Sequence, residues 1–134
     1  MKKINYLAII PARSGSKRLK NKNERKIKKI SLIDYTLNAA IKTKKIDKII
    51  VTTNIKSLLK KNQKKIFYVK RPKHLCKDSS STESAILHSL KIFKIANKIE
   101  PKNIILLQPT SPFRDSLDIA KSIKIFESRN YNSL

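Results

Sequence analysis

What most constrains this 134-residue chain is a rhythm of short apolar runs alternating with stretches whose apolar residues recur at helical spacing. Tyr6–Ile10 is apolar, of strand length, and closed by Pro11. Lys48–Thr53 holds Ile49-Ile50-Val51, Ile66–Val69 makes a third run, and Ile104-Ile105-Leu106-Leu107 a fourth, apolar on both faces. Between them, Leu32, Ile33, Leu37, Ala40 and Ile41 share one helical face, as do Ile86, Leu87, Leu90, Phe93 and Ala96, and finally Leu117, Ala120, Ile123 and Phe126. Ser31 with Asp34, and Ser80 with Glu83, have capping-box spacing; Asn54 is expected to cap a short helix ending near Lys61, and Asp115 to start the last helix. Strands apolar throughout, each followed by a helix, indicate a mainly parallel sheet covered on both faces. The expectation is an α/β, three-layer, Rossmann-like fold in a single domain, residues 1–134.

In such a sheet ligands bind beyond the carboxyl ends of the strands, so the polar loops after the first, third and fourth runs should converge. The first reads Pro11-Ala12-Arg13-Ser14-Gly15-Ser16-Lys17-Arg18-Leu19-Lys20-Asn21-Lys22-Asn23, and Gly15 is the only glycine in the chain. Average usage, about 7%, would supply roughly nine. A chain that has shed nearly all its glycine but keeps one here needs a positive φ or close backbone approach at that point. Hydroxyls and cations flank it, as suits a loop that wraps phosphate with backbone N–H groups. A basic surface turn would use the same residues, and composition alone leaves both readings open. The spacing matches neither a P-loop nor a three-glycine dinucleotide fingerprint.

The formal net charge of +23 would attract polyanions. The lysines, however, are spread along the whole chain among many Ile and Asn residues, which reads mainly as solvated lysine faces; nucleic acid is not an expected partner. No apolar run approaches the ~18 residues needed to cross a bilayer, and the Met1–Pro11 start lacks the length and cleavage site of a signal peptide, so a cytoplasmic protein away from membranes is expected. Cys76 is the only cysteine, which excludes an intramolecular disulfide, and it supplies no metal-ligand cluster. His74 and His88 have no Ser or Cys at a spacing that suggests a nucleophilic triad.

Four stretches, taken together, carry a family resemblance. Ile10-Pro11-Ala12-Arg13-Ser14-Gly15-Ser16-Lys17 running on to Lys22-Asn23 resembles the signature loop of the acylneuraminate cytidylyltransferases, the CMP-sialic acid synthetase family. Ser31–Thr36 resembles that family's first helix, Arg71-Pro72 through Asp78–Thr82 its nucleotide-contacting loop, and Leu106–Arg114 its QPTSP segment. The resemblance covers essentially the whole chain and corresponds to the N-terminal part of the family.

The resemblance implies a CTP-dependent nucleotidyltransferase that activates an acidic nine-carbon sugar, of sialic, legionaminic or pseudaminic type, to its CMP-sugar with release of pyrophosphate. The sugar's anomeric hydroxyl would attack the α-phosphate in line, assisted by Mg²⁺. Arg13 and Lys22 would hold the triphosphate and stabilise developing charge. Ala12, Ser14, Gly15, Ser16, Lys17 and Asn23 would bind the nucleotide beside them. Arg71, Ser81 and Thr82 would contact the cytidine moiety, and Gln108 would face the sugar. The complete family member is expected to be a homodimer.

The chain departs from the family pattern in places. Family members run longer, and the acidic pair that holds their metal lies in the later part, so no residue here is assigned to metal; Asp78 is read as ordering its loop or capping a helix. Lys29-Ile30-Ser31 stands where Gly-Lys-Pro is usual, and Asn54 where aspartate is common. The chain stops at Asn132-Ser133-Leu134, where the family begins another strand, so the domain is expected to be incomplete at its C-terminus, with an open sheet edge. Other readings remain: a nucleotide-binding remnant that holds CTP without turning it over, a cytidylyltransferase for the eight-carbon acid Kdo, and a basic nucleic-acid-binding protein.

Overall fold

A computed structural model describes residues 1–14, 26–27, 30–111 and 113–129. Four strands, β1 (Lys2–Ala12), β4 (Lys48–Thr53), β5 (Ile66–Lys70) and β6 (Ile99–Leu106), form one all-parallel sheet in the order β5-β4-β1-β6. A two-residue ladder, β2 (Lys26–Ile27) with β3 (Ile30–Ser31), is antiparallel and leads into the first helix. The helices are α1 (Leu32–Lys42), α2 (Lys56–Leu59), α3 (Thr82–Asn97) and α4 (Ser116–Ser128). The chain winds outward from β1 through β4 to β5, then returns past β1 to place β6 on its other side. Strand order therefore reverses between β1 and β6, the doubly wound arrangement that opens a ligand crevice at that point.

Burial explains why β1 lies in the middle. Leu7, Ala8, Ile9, Ile10 and Ala12 are all fully buried, and the side chains alternate across the sheet. Tyr6, Ala8, Ile10 and Ala12 join Ile33, Leu37 and Ala40 of α1 and Ile119 and Ile123 of α4 in one core. Leu7 and Ile9 join Phe93 of α3 in the second, where Phe67 meets Phe93 edge-on at 5.6 Å. Burying Leu7, Ile9 and Ile10 contributes about 5–9 kcal/mol, comparable with the ~5–15 kcal/mol net stability of a whole domain. The expected three-layer α/β architecture is thus present, with α1 and α4 on one face and α3 on the other.

The start of β1 reaches past β4, whose pairing with it begins at Leu7↔Lys48. The Asp47 carboxylate substitutes for the absent ladder partner, accepting from the Asn5 and Tyr6 amides at 2.8 and 3.0 Å. The Tyr6 hydroxyl donates to Glu127 of α4 at 2.7 Å, and burial together with that carboxylate pushes the phenol up to about 12. Lys45 and then Tyr6 in turn hold the Glu127 carboxyl below its usual range.

Several local expectations are corrected. Ser31 caps α1 as expected, its Oγ accepting from the Asp34 amide, and Asp115 caps α4 in a full capping box with Asp118. The cap of α3, however, is Ser81, one residue beyond Ser80, whose hydroxyl instead donates to the His74 carbonyl at 2.8 Å. The short helix α2 ends at Leu59 rather than near Lys61, and its N-cap is Ile55 with no side-chain bond, because the Asn54 amide is engaged elsewhere. The fourth strand, apolar on both faces in sequence, is covered on only one: Ile105 packs on the first core, while Ile104 and Leu106 are 45% and 41% exposed. Among the described strands β6 pairs only with β1, and α3 leaves that part of the sheet uncovered.

Among the described residues the scarcity of glycine has one backbone cost. Lys98, the C-cap of α3, sits at φ 53°, ψ 46°, the left-handed conformation that helix ends usually assign to Gly or Asn. A Cβ there costs about 1 kcal/mol. Lys98→Gly is therefore expected to raise the unfolding free energy by about 0.5–1 kcal/mol, read from the urea midpoint; a lower midpoint would contradict this account of the cap.

Candidate functional site

The carboxyl ends of the strands place three loops side by side. β1 ends at Ala12 opposite Thr53 of β4, and the Arg71 amide donates to the Thr53 carbonyl at 2.8 Å, continuing β5 alongside. On the other flank the Leu107 amide donates to the Ile9 carbonyl at 3.0 Å, so Gln108 follows β6 roughly level with Pro11, just short of the end of β1. The side chains that leave this edge belong to Arg13, Ser14, Asn54, Arg71 and Gln108.

Arg13 and Ser14 are each fastened to a neighbouring loop. Ser14 is clamped by Asn54: its amide donates to Asn54 Oδ1 at 2.8 Å, and Asn54 Nδ2 donates to Ser14 Oγ at 3.0 Å. Because a backbone N–H can only donate, Oδ1 must face it, which orients the amide unambiguously. Arg13 reaches across to the loop after β5, donating from Nη1 to the Cys76 carbonyl at 3.2 Å and forming a salt bridge through Nη2 with Asp78. That second loop is itself braced. A 3-10 turn over Lys73–Leu75 compacts it, and the Cys76 thiol donates back to the Pro72 carbonyl at 3.2 Å.

Arg71 behaves differently from Arg13. It is only 6% exposed, donates from Nη2 to the Thr52 carbonyl at 3.2 Å, and has an Nε without a partner among the described residues. Burial lowers its pKa, the Cys76 side raises it, and the neighbouring charge of Arg13 lowers it again. An arginine remains charged under such shifts, so Arg71 carries a buried positive charge beneath the loop that bears Asp78.

Of the residues singled out in the sequence, Arg13, Ser14 and Arg71 meet in this network. Ala12 is fully buried in the first core, which leaves its backbone as the part that faces the crevice side. Ser81 caps α3 and Thr82 is that helix's first residue, both exposed. Gln108 is exposed on the far flank; its carbonyl accepts from Arg114 Nη2 at 3.0 Å, so Arg114 braces the loop from within. Gly15, Ser16, Lys17, Lys22 and Asn23 lie outside the described residues. Asn54 and Cys76 had no site role in the sequence reading, and Asp78 had only a local one. Asn54 had a readable signal, a polar residue directly after a buried strand and level with the glycine loop, whereas the Arg13–Asp78 pair spans 65 residues and has no local signature.

Among the described residues no three His, Cys, Asp or Glu side chains gather as a metal-binding group. None of the described helices is long and apolar enough to cross a membrane. An open cavity of about 670 Å³ lies at the opposite, amino-terminal end of the sheet, lined by Tyr6, Lys44, Lys45, Asp47, Lys102 and Glu127. Its two carboxylates are already bonded to the β1 amides, Tyr6 and Lys45, and the strand ends that collect ligands in a parallel sheet are the other ones.

Comparison with known proteins adds a family. The model of the family described as Cytidylyltransferase matches residues 7–134. The N-acylneuraminate cytidylyltransferase of Escherichia coli O18:K1:H7 is 38% identical over 124 residues, covering 91% of this chain and 28% of that protein. The CMP-N,N'-diacetyllegionaminic acid synthase of Legionella pneumophila is 33% identical over 125 residues, covering 91% of this chain and 53% of its own length. The chain therefore spans about half or less of these relatives. Among solved structures, a 2-C-methyl-D-erythritol 4-phosphate cytidylyltransferase from Francisella tularensis superposes with a TM-score of 0.67 at 21% identity, covering 92% of this chain and 52% of that one. A CMP:2-keto-3-deoxy-manno-octonic acid synthetase complexed with CTP gives 0.66 at 18% identity, covering 92% and 48%. These two confirm the Rossmann-like fold.

The Asn54 clamp yields a direct test. Asn54→Ala removes two bonds to one residue, each worth about 0.5–1.5 kcal/mol net. Amide hydrogen exchange at Ser14 is expected to accelerate by about tenfold or more, with β1 amides such as Ile9 unchanged. Undiminished protection at Ser14 would mean that the clamp does not hold the loop.

Proposed function

The chain belongs to the cytidylyltransferase family, and from that membership we propose that it forms the CTP-binding part of an enzyme that activates an acidic nine-carbon sugar to its CMP-sugar, releasing pyrophosphate. The observation that carries this reading is the fastening of Arg13, at the carboxyl end of the central strand, to the loop that follows β5. A cation held at the carboxyl end of the central strand stands at the end of the sheet where parallel α/β folds receive their ligands. In this reading Arg13 and Lys22 hold the triphosphate and neutralise charge on the α-phosphorus and leaving pyrophosphate. The backbone around Ala12, Ser14, Gly15, Ser16 and Lys17, with Asn23, wraps the phosphates. Arg71, Ser81 and Thr82 serve the cytidine side and Gln108 the sugar.

Chemistry of this kind is mostly positioning and charge stabilisation. The sugar hydroxyl attacks the α-phosphorus and releases its proton to solvent, the bond to the bridging oxygen breaks, and pyrophosphate leaves with its charge met by the two cations. Magnesium is the expected metal of the complete enzyme. The described residues offer it no ligand group, so the roles assigned to this chain are those of its cations, hydroxyls and backbone amides. Because the chain spans 28% and 53% of two relatives, turnover and the expected homodimer are assigned to the whole protein, in the cytoplasm, and CTP binding to this chain. The similarity to CMP-sialic and CMP-legionaminic acid enzymes supports a nine-carbon sugar over the eight-carbon alternative, whose structural likeness stands at 18% identity.

Titration calorimetry tests the reading. The chain is expected to release heat with CTP in a saturable manner, and Arg13→Ala to weaken binding by about 10- to 100-fold, the loss of charge-assisted bonds worth ~1.5–3 kcal/mol. In the complete enzyme the same substitution is expected to lower turnover by ~10³-fold or more. Absence of any CTP heat from the folded chain, or binding of duplex DNA that ignores CTP and weakens steeply with salt, would overturn it.

A further inference from the structure

Asp78 is a carboxylate close to where a triphosphate is proposed to bind, in a chain with only 9 acidic residues against 32 basic ones. On charge alone it should be unfavourable there. Its geometry suggests a use. Asp78 and the Cys76 carbonyl together engage both terminal nitrogens of Arg13, one through Nη2 and the other through Nη1 at 3.2 Å. The two side chains are partly shielded, at 25% and 28% exposure. The acceptors sit on a segment that cannot easily swing. The 3-10 turn over Lys73–Leu75, the Cys76 thiol bonded to Pro72, the Ser80 hydroxyl bonded to His74, and the buried Arg71 at its root all fix the loop.

We propose that Asp78 is a positioning residue for CTP binding: with the Cys76 carbonyl it holds the Arg13 guanidinium in place at the carboxyl end of β1 before the triphosphate arrives. The inference rests on the nucleotide reading of the site and goes beyond it by assigning a role to an acidic residue that itself touches no phosphate. Arginine has a long, rotamer-rich side chain, and ordering it on binding costs affinity that a prearranged side chain does not lose. The carboxylate supplies that order at the expense of some repulsion. Preorganisation and repulsion act in opposite directions, so the sign of the effect separates them.

The test is calorimetry on the 134-residue chain with CTP and, separately, cytidine, for wild type, Asp78→Asn, Arg13→Ala and the double variant. Asp78→Asn is expected to weaken CTP binding by about three- to tenfold, the scale of immobilising one rotamer-rich side chain. Cytidine, which carries no phosphate for Arg13 to meet, is expected to bind the same, and the double variant to be no weaker for CTP than Arg13→Ala alone, because Asp78 acts through Arg13. Asp78→Ser, which also removes the charge, provides the same reading should the Asn variant not fold. Equal or tighter CTP binding by the Asp78 variants would overturn the proposal in favour of simple repulsion. Equal losses for CTP and cytidine, or a further loss in the double variant, would overturn it in favour of a general loop scaffold. A wild-type chain that binds CTP normally while the variants behave in either of those ways leaves the nucleotide reading standing, whereas a wild-type chain with no CTP heat removes both.

Discussion

Everything in this fold depends on the complete burial of the middle of β1, from Leu7 to Ile10, between β4 and β6. Side chains from Leu7 to Ile10 are removed from water on both faces of the sheet, so the strand has no freedom to slip without exposing one of the two cores. With its register fixed against both neighbours, the place where the strand ends is fixed too. Arg13 and Ser14 therefore emerge at a defined point beside Thr53, Asn54 and Arg71. An anion site of the kind proposed needs such an anchor, because hydrogen bonds alone would not offset the entropy of ordering polar side chains at the strand end.

The charge of the chain is distributed in two ways. Most lysines are exposed and contribute a diffuse positive field that steers anions without selecting among them. A few cations are held in place by specific acceptors: Arg13 by Asp78 and the Cys76 carbonyl, Arg71 by the Thr52 carbonyl, Arg114 by the Gln108 carbonyl. All three stand at or beneath the carboxyl-end loops. In the proposed nucleotide site, selectivity for a phosphate-bearing ligand is assigned to these arginines rather than to the net charge of +23, since a planar guanidinium with fixed neighbours presents its donors in one direction.

Much of this was legible in the sequence where the signal is local. The bounds of β4, the capping serine of α1 and the capping aspartate of α4 follow from apolar runs and cap chemistry a few residues apart. The loops after β1 and β5 could be named because a parallel α/β order dictates on which side they lie, whereas the loop after β4 joins them through Asn54 and Gln108 after β6 stands on the far flank. What escaped was non-local or competitive. Asn54 reads as a helix cap until Ser14, 40 residues away, takes its amide. Ser80 and Ser81 offer the same cap chemistry, and the choice between them turns on the His74 carbonyl. The β6 run reads as covered on both faces, yet strand composition does not say whether α3 extends over Ile104 and Leu106.

The central claim is that the carboxyl ends of β1, β4 and β5 form the nucleotide site. Backbone amide chemical-shift mapping of the chain during a CTP titration tests it most directly. The account predicts shifts concentrated at Arg13, Ser14, Asn54, Arg71, Cys76 and Asp78, with Asn5, Asp47 and Lys102 at the opposite end unmoved. Shifts confined to that opposite end, or spread evenly over exposed lysines, would contradict it.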